Sequence, residues 1–130
     1  MSDFAALGSA IYSRLGTALG GSVYYGLGPQ NATSYPCIIF QRQAAIDGYT
    51  FGTANNGDVS ADYTVKAVGQ SLWPTSLYAL YGSAHARLNN ALGTVTGWST
   101  LRCERRSTLE YRDQDGYWHV GGVYRIDIDK

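Results

Sequence analysis

Two alternating segments, Leu101–Arg112 and Tyr117–Asp129, flank the turn-forming run Asp113-Gln114-Asp115-Gly116 and predict a β-hairpin. One register satisfies both of its faces. With Arg112 opposite Tyr117, Glu104 faces Arg125, Arg102 faces Asp127 and Glu110 faces His119, all oppositely charged or chargeable pairs. On the other side Leu101 meets Ile128, Cys103 meets Ile126, Leu109 meets Val120 and Tyr111 meets Trp118. Strand side chains alternate between faces, so a slip of one residue would turn both sets over. Two positions do not fit: Arg105 opposes Tyr124 on the apolar side, and Ser107 opposes Gly122. The pair Gly121-Gly122 is a candidate bulge that would shift part of the pairing.

The rest of the chain supplies elements for this hairpin to pack with. Phe4, Leu7, Ile11, Leu15 and Ala18 recur at three- and four-residue steps, with Ser2 as a cap and Gly20-Gly21 as a stop, and predict a first helix. A short strand follows at residues 22–25, then a loop rich in Gly, Pro, Asn and Ser over residues 27–35. Pro36 opens a second strand through Gln43. Val59, Ala61, Tyr63, Val65 and Ala67 alternate with Ser60, Asp62, Thr64 and Lys66 in a third, half-buried strand. These two strands read as a long hairpin whose tip is the polar excursion Asp47–Gly57. Pro74 suits the first turn of a second helix, whose stripe is Leu77, Tyr81, Ala84, Leu88 and Leu92 and which Gly93 ends. The predicted order is α-β-β-β-α-β-β. The expected class is α+β, with two helices packed on one face of a mainly antiparallel sheet, in one domain over residues 1–130.

Bulk properties exclude several kinds of protein. The 130 residues are enough for one domain that folds without staples. Lysine plus arginine and aspartate plus glutamate number 10 each, so the formal charge is zero. A protein held on nucleic acid mainly by phosphate contacts needs a basic surface, and this chain has none in bulk. The eleven tyrosines and three tryptophans admit two readings. Aromatics of this kind are enriched at protein interfaces, and tyrosine also simply favours strands. Cys37 and Cys103 sit inside apolar strand patterns with no CxxC or Cys/His spacing, which reads as buried hydrophobes and not as a metal site. No apolar run reads as a signal peptide or a membrane span, so the expectation is a chain kept in a reducing cytoplasm with no membrane partner. In that setting the acceptor-like Asn31-Ala32-Thr33 carries no meaning.

No chemistry converges in the sequence. His85 lies beside the stripe of the second helix and His119 on the charged side of the last strand. Nucleophile, metalloprotease, phosphate-loop and dinucleotide motifs are absent. No catalytic residue, cofactor or metal is expected. The cluster Arg102-Cys103-Glu104-Arg105-Arg106 interleaves acids with bases, as a solvated ion-pair ladder does, whereas a nucleic-acid platform interleaves aromatics. A lone arginine on an apolar face needs a partner. For Arg105 two readings stay open: contact with Tyr124 across the hairpin, or reach to another subunit. Tyr49 and Phe51 in the excursion suggest an arm that orders against a partner.

Four segments together resemble the tail-terminator, or tail-completion, proteins of long-tailed bacteriophages, also described as head–tail joining proteins. They are the helix end Ala18-Leu19-Gly20-Gly21 leading to Val23-Tyr24, the strand Tyr35-Pro36-Cys37-Ile38-Ile39-Phe40, the strand from Asp62 to Trp73, and the closing hairpin from Arg112 to Ile128. The chain departs from that pattern at Leu72, Pro74 and the long excursion. The resemblance implies a structural virion protein at the head-proximal end of the tail, assembled in the host cytoplasm. It implies a ring, usually a hexamer, that caps the tail-tube protein, stops its growth and meets the head–tail connector. DNA passes through the lumen without specific binding, which the neutral charge suits. A ring has a heterologous interface, built from two different surfaces of one subunit. The candidate interface residues are Tyr49, Phe51 and Arg105. Two rival readings are a host binding module using its sheet as a platform, and a small enzyme using Glu104, Glu110 and His119.

Overall fold

In the computed structural model the described residues are 2–19, 23–25, 36–48, 58–70, 73–90, 92, 95 and 99–129. They form α1 (Ser2–Leu19), β1 (Val23–Tyr25), β2 (Cys37–Gly48), β3 (Asp58–Gly69), α2 (Thr75–Leu88), β4 (Ser99–Arg112) and β5 (Trp118–Asp129). The class is α+β. One sheet runs in the order β1-β2-β3-β5-β4. Its β1 edge is parallel to β2, and the β2–β3, β3–β5 and β5–β4 pairings are antiparallel.

The core follows from periodicity. Leu7, Ile11 and Leu15 lie one helical turn apart on α1 and are almost wholly buried. Leu77, Tyr81, Ala84 and Leu88 do the same on α2. Both stripes join one cluster with Ile38 and Phe40 of β2, Ala61, Tyr63, Val65 and Ala67 of β3, and Val120, Tyr124, Ile126 and Ile128 of β5. The intervening residues Cys37, Ile39 and Val68 face the opposite way and pack with Tyr117 in a smaller cluster. The alternation over residues 60–67 therefore puts Ala61, Tyr63, Val65 and Ala67 in the core, as the sequence predicts.

The largest departures from expectation are two element ends and one register. β2 continues to Gly48, past Gln43, and Gly48 pairs with Asp58. A bulge between Arg42 and Ala44 absorbs Gln43 and lets the strand continue. Asp47 and Gly48 of the predicted excursion are thus ladder residues, and Tyr49 and Phe51 lie outside the described residues.

α2 stops at Leu88, before the predicted Gly93, because the next two residues are engaged by β4. The Asn89 side chain accepts the backbone N–H of Arg105 at 3.1 Å, and the Asn90 N–H donates to the Cys103 carbonyl at 2.6 Å. Asn90 takes a left-handed φ of 59°, a conformation that asparagine tolerates better than most residues. Leu92 stays buried, but beyond the helix.

The terminal hairpin keeps the predicted register only in part. Arg102 pairs with Asp127, Cys103 with Ile126, Glu104 with Arg125 and Arg105 with Tyr124. The register shifts between Arg105 and Ser107, after which Tyr111 pairs with His119 and Glu110 with Val120. A second shift between Thr100 and Arg102 leaves Thr100 opposite Ile128. The bulge near Gly121-Gly122 is real, but its extra residue is Arg106 on the facing strand. It turns the remainder of β4 over, so the predicted pairs Glu110–His119, Leu109–Val120 and Tyr111–Trp118 do not form.

Candidate interface around Arg105 and the outer hairpin

Arg105 comes from the edge strand β4 and its side chain is exposed. It interacts with the hydroxyls of both Tyr81 and Tyr124, most strongly with Tyr81. Its Nη1 donates to the Tyr81 hydroxyl at 3.4 Å. That hydroxyl is 2.7 Å from Tyr124 Oη, which is 2.7 Å from His85 Nδ1. Four polar groups from α2, β4 and β5 thus connect inside an otherwise apolar cluster, which satisfies two buried phenols. Burial, reinforced by the bond with Tyr81, pushes the Tyr124 hydroxyl far above an ordinary phenol. Burial, and then the Arg105 charge, hold His85 below the ordinary histidine value. Gly122 makes room for the cluster: a Cβ there would lie 2.7 Å from the Tyr81 hydroxyl and 2.9 Å from Arg105 Cδ.

On the outer face an ion-pair ladder crosses three strands. Arg125 of β5 pairs with Asp62 of β3. Arg102 of β4 grips one oxygen of Asp127 through Nε at 2.8 Å and Nη2 at 2.7 Å. Glu104 accepts from Arg102 at 3.5 Å and Arg106 at 3.4 Å, both on its own strand. Glu104 and Arg125 are register partners, as predicted, yet each takes its ionic contacts elsewhere. Sequence reasoning on the hairpin alone missed Asp62, although the β3 alternation had already put it on the polar side. Burial pushes the Asp127 carboxyl up, but Ser60, Arg102 and Arg125 outweigh it and hold it low. Exposed pairs of this kind add little to stability, because solvent screens them.

The hairpin turn is organised by one carboxylate. Asp113 Oδ1 accepts the N–H groups of Asp115 at 3.0 Å and Tyr117 at 2.9 Å, and Oδ2 lies 2.7 Å from His119 Nε2. The His119 bond and then the Tyr117 N–H hold Asp113 below the usual carboxylate range. Among the described residues the buried His119 Nδ1 has no hydrogen-bond partner, and the carboxylate can only accept, so Nε2 carries the proton donated to Asp113. Glu110 instead faces α2, where its carboxylate accepts the Tyr78 hydroxyl at 3.0 Å. Glu104, Glu110 and His119 therefore do not converge.

Both cysteine side chains are buried. Burial pushes the Cys37 thiol up to about 11 and the Cys103 thiol up to about 12. Among the described residues, no three His, Cys, Asp or Glu side chains are placed to hold a metal ion, and no helix is long and apolar enough to cross a membrane.

No family model matches the chain, and no curated protein does. A solved structure matches it end to end. A chain from a structure described as the virion of a native gene transfer agent (GTA) particle superposes with a TM-score of 0.81, covering 97% of this chain and 96% of that chain. What they share is the fold. Identity is only 13%, so the likeness lies in the arrangement of helices and strands and carries no side-chain roles across. Of the three predicted interface residues, Arg105 is located and has an internal partner, whereas Tyr49 and Phe51 lie outside the described residues.

Proposed function

We propose that this chain is a non-enzymatic structural protein of a phage-like virion. The observation that carries the reading is the near-complete superposition on a chain of a gene transfer agent virion. The sequence resemblance to tail-terminator proteins, a pattern of element order and length over nearly the whole chain, leads to particles of the same kind.

The specific role we infer is that of a ring, in the hexameric form usual for tail terminators, at the head-proximal end of the tail. It caps the tail tube, ends elongation and joins the tail to the head connector, with DNA passing through its lumen. A formal charge of zero suits passage, since a strongly basic lumen would retain DNA. The long edge strand β4, with Arg102, Arg105 and Arg106 exposed along it, is one of the two surfaces such a ring needs. Deleting the gene from the particle that encodes it tests the role. The expected products are tails of abnormal length and heads without tails. Particles with normal tails joined to heads would reject it.

A further inference from the structure

A guanidinium can only donate hydrogen bonds, and this gives the polar chain beneath β4 a direction. Arg105 Nη1 reaches the Tyr81 hydroxyl at 3.4 Å, so that oxygen is an acceptor. Tyr81 has one proton to give, and Tyr124 Oη stands 2.7 Å away. With Tyr81 as the donor of that pair, Tyr124 accepts its bond and donates its own hydroxyl proton to His85 Nδ1, again at 2.7 Å. In that direction the imidazole ends the chain as an acceptor at Nδ1, with its proton on Nε2.

Adding a proton to His85 reverses the two inner links. Nδ1 becomes a donor towards Tyr124, Tyr124 turns its proton to Tyr81, and the two phenol oxygens, which already take the Arg105 donors, must take this bond as well. A second positive charge then stands close to the Arg105 guanidinium. That end is the one able to yield: its contact is the longest of the three, and Arg105 is exposed on an edge strand. Tyr81 and Tyr124 are 7% and 0% exposed and are fixed in the core.

We propose that His85 and Arg105 are the two ends of one proton-linked switch, in which protonation of His85 releases the Arg105 guanidinium from Tyr81 to meet a carboxylate on a neighbouring protein surface. Linkage makes the effect reciprocal: a carboxylate that draws Arg105 away raises the proton affinity of His85. The groups facing the imidazole are Tyr81 from α2, Tyr124 from β5 and Arg105 from β4, with the neutral Cys103 thiol next to Tyr124. Arg105 is the charge that acts on His85, and it disfavours the imidazolium, as the chain direction does. The chain stands on its own geometry, whereas the neighbouring carboxylate rests on the virion reading.

Nitrogen-15 NMR of the histidine rings in the full chain tests the switch, comparing the wild type with Tyr81→Phe. The wild type is expected to show neutral His85 as the Nε2–H tautomer and to titrate below an ordinary histidine. Tyr81→Phe keeps the Arg105 charge and cuts the chain, so His85 should titrate higher than in the wild type. An Nδ1–H tautomer, or identical titration in the two proteins, overturns the proposal. If Tyr81→Phe does not fold, the wild-type tautomer decides alone. The isolated chain serves throughout, so failure here leaves the virion role standing, and normal tails in the deletion would leave the switch standing.

Discussion

Tyr111 lies flat on His119, with ring centroids 4.5 Å apart and planes 7° from parallel. The stack exists because Arg106 bulges out of β4 and turns Tyr111 onto the outer face, opposite His119. There Lys66 Nζ donates to the Tyr111 hydroxyl at 3.0 Å from the neighbouring side of the sheet. One extra residue thus builds a contact spanning β3, β5 and β4. A double-mutant cycle of Tyr111→Ala and His119→Ala, read by urea unfolding, should give a coupling of about 0.5–1.5 kcal/mol. Because Tyr111 is 44% exposed, the lower part of that range is expected. Single-mutant losses that add to within about 0.3 kcal/mol would show that the stack contributes nothing.

The bulge also marks where the sequence stops being legible. From Arg102 to Arg105, alternation alone gives the pairing, because each residue has one partner and one face. Beyond Arg106 the same alternation gives the wrong faces, since no pattern counts an unpaired residue. The glycines pointed to the site of the irregularity but not to the strand that carries it. The end of α2 was hidden for a different reason. Leu92 prolongs the apolar stripe, and what stops the helix is a pair of hydrogen bonds to a strand many residues away. The Arg105 cluster was half legible. The register set Arg105 opposite Tyr124, but Tyr81 was read as a stripe residue, and its hydroxyl is what the guanidinium meets.

Gly121 and Gly122 are required for space on opposite sides of the sheet. Neither takes a left-handed φ, so backbone freedom is not the reason. A Cβ on Gly121 would sit 2.5 Å from Lys66 Cα and nearer still to the Val65 carbonyl oxygen. Those are backbone atoms of the adjacent strand, which cannot move without opening the β3–β5 pairing. A Cβ on Gly122 would meet the Ser107 carbonyl oxygen at 2.7 Å and the Tyr81 hydroxyl at 2.7 Å. Both alanine variants should lose at least about 1–3 kcal/mol in urea unfolding, with Gly121→Ala the more severe. Gly122→Ala should also disturb the His85 ring resonances, and Gly121→Ala should leave those of any folded fraction unchanged. Wild-type stability in either variant would contradict these packing distances.

Neither thiol should behave as a nucleophile. Cys37 and Cys103 are 0% and 2% exposed, and burial raises both well above ordinary thiols, so little thiolate forms near neutrality. Iodoacetamide at pH 7.5 should leave the native protein unmodified and add two adducts in denaturant, as read by intact mass. Rapid labelling of either residue in the folded protein would mean that its strand opens readily.

Acid should act on stability in two separate windows. His85 has a folded pKa below its ordinary value of 6.5, so the unfolded chain binds that proton more readily. Its contribution to stability is complete well above 6.5 and is lost as pH falls through the ordinary histidine range towards the folded value. Asp113 and Asp127 are held below their ordinary 3.8, so they favour the folded state above that value. Their contribution goes only as pH falls further, through their folded values. Urea unfolding between pH 7.5 and 5 should therefore show stability declining before any carboxylate with a lowered pKa titrates. In His85→Gln the side-chain oxygen still accepts from Tyr124 and nothing titrates at that position. The decline should be shallower in this variant, and an unchanged slope would assign the upper window to another group.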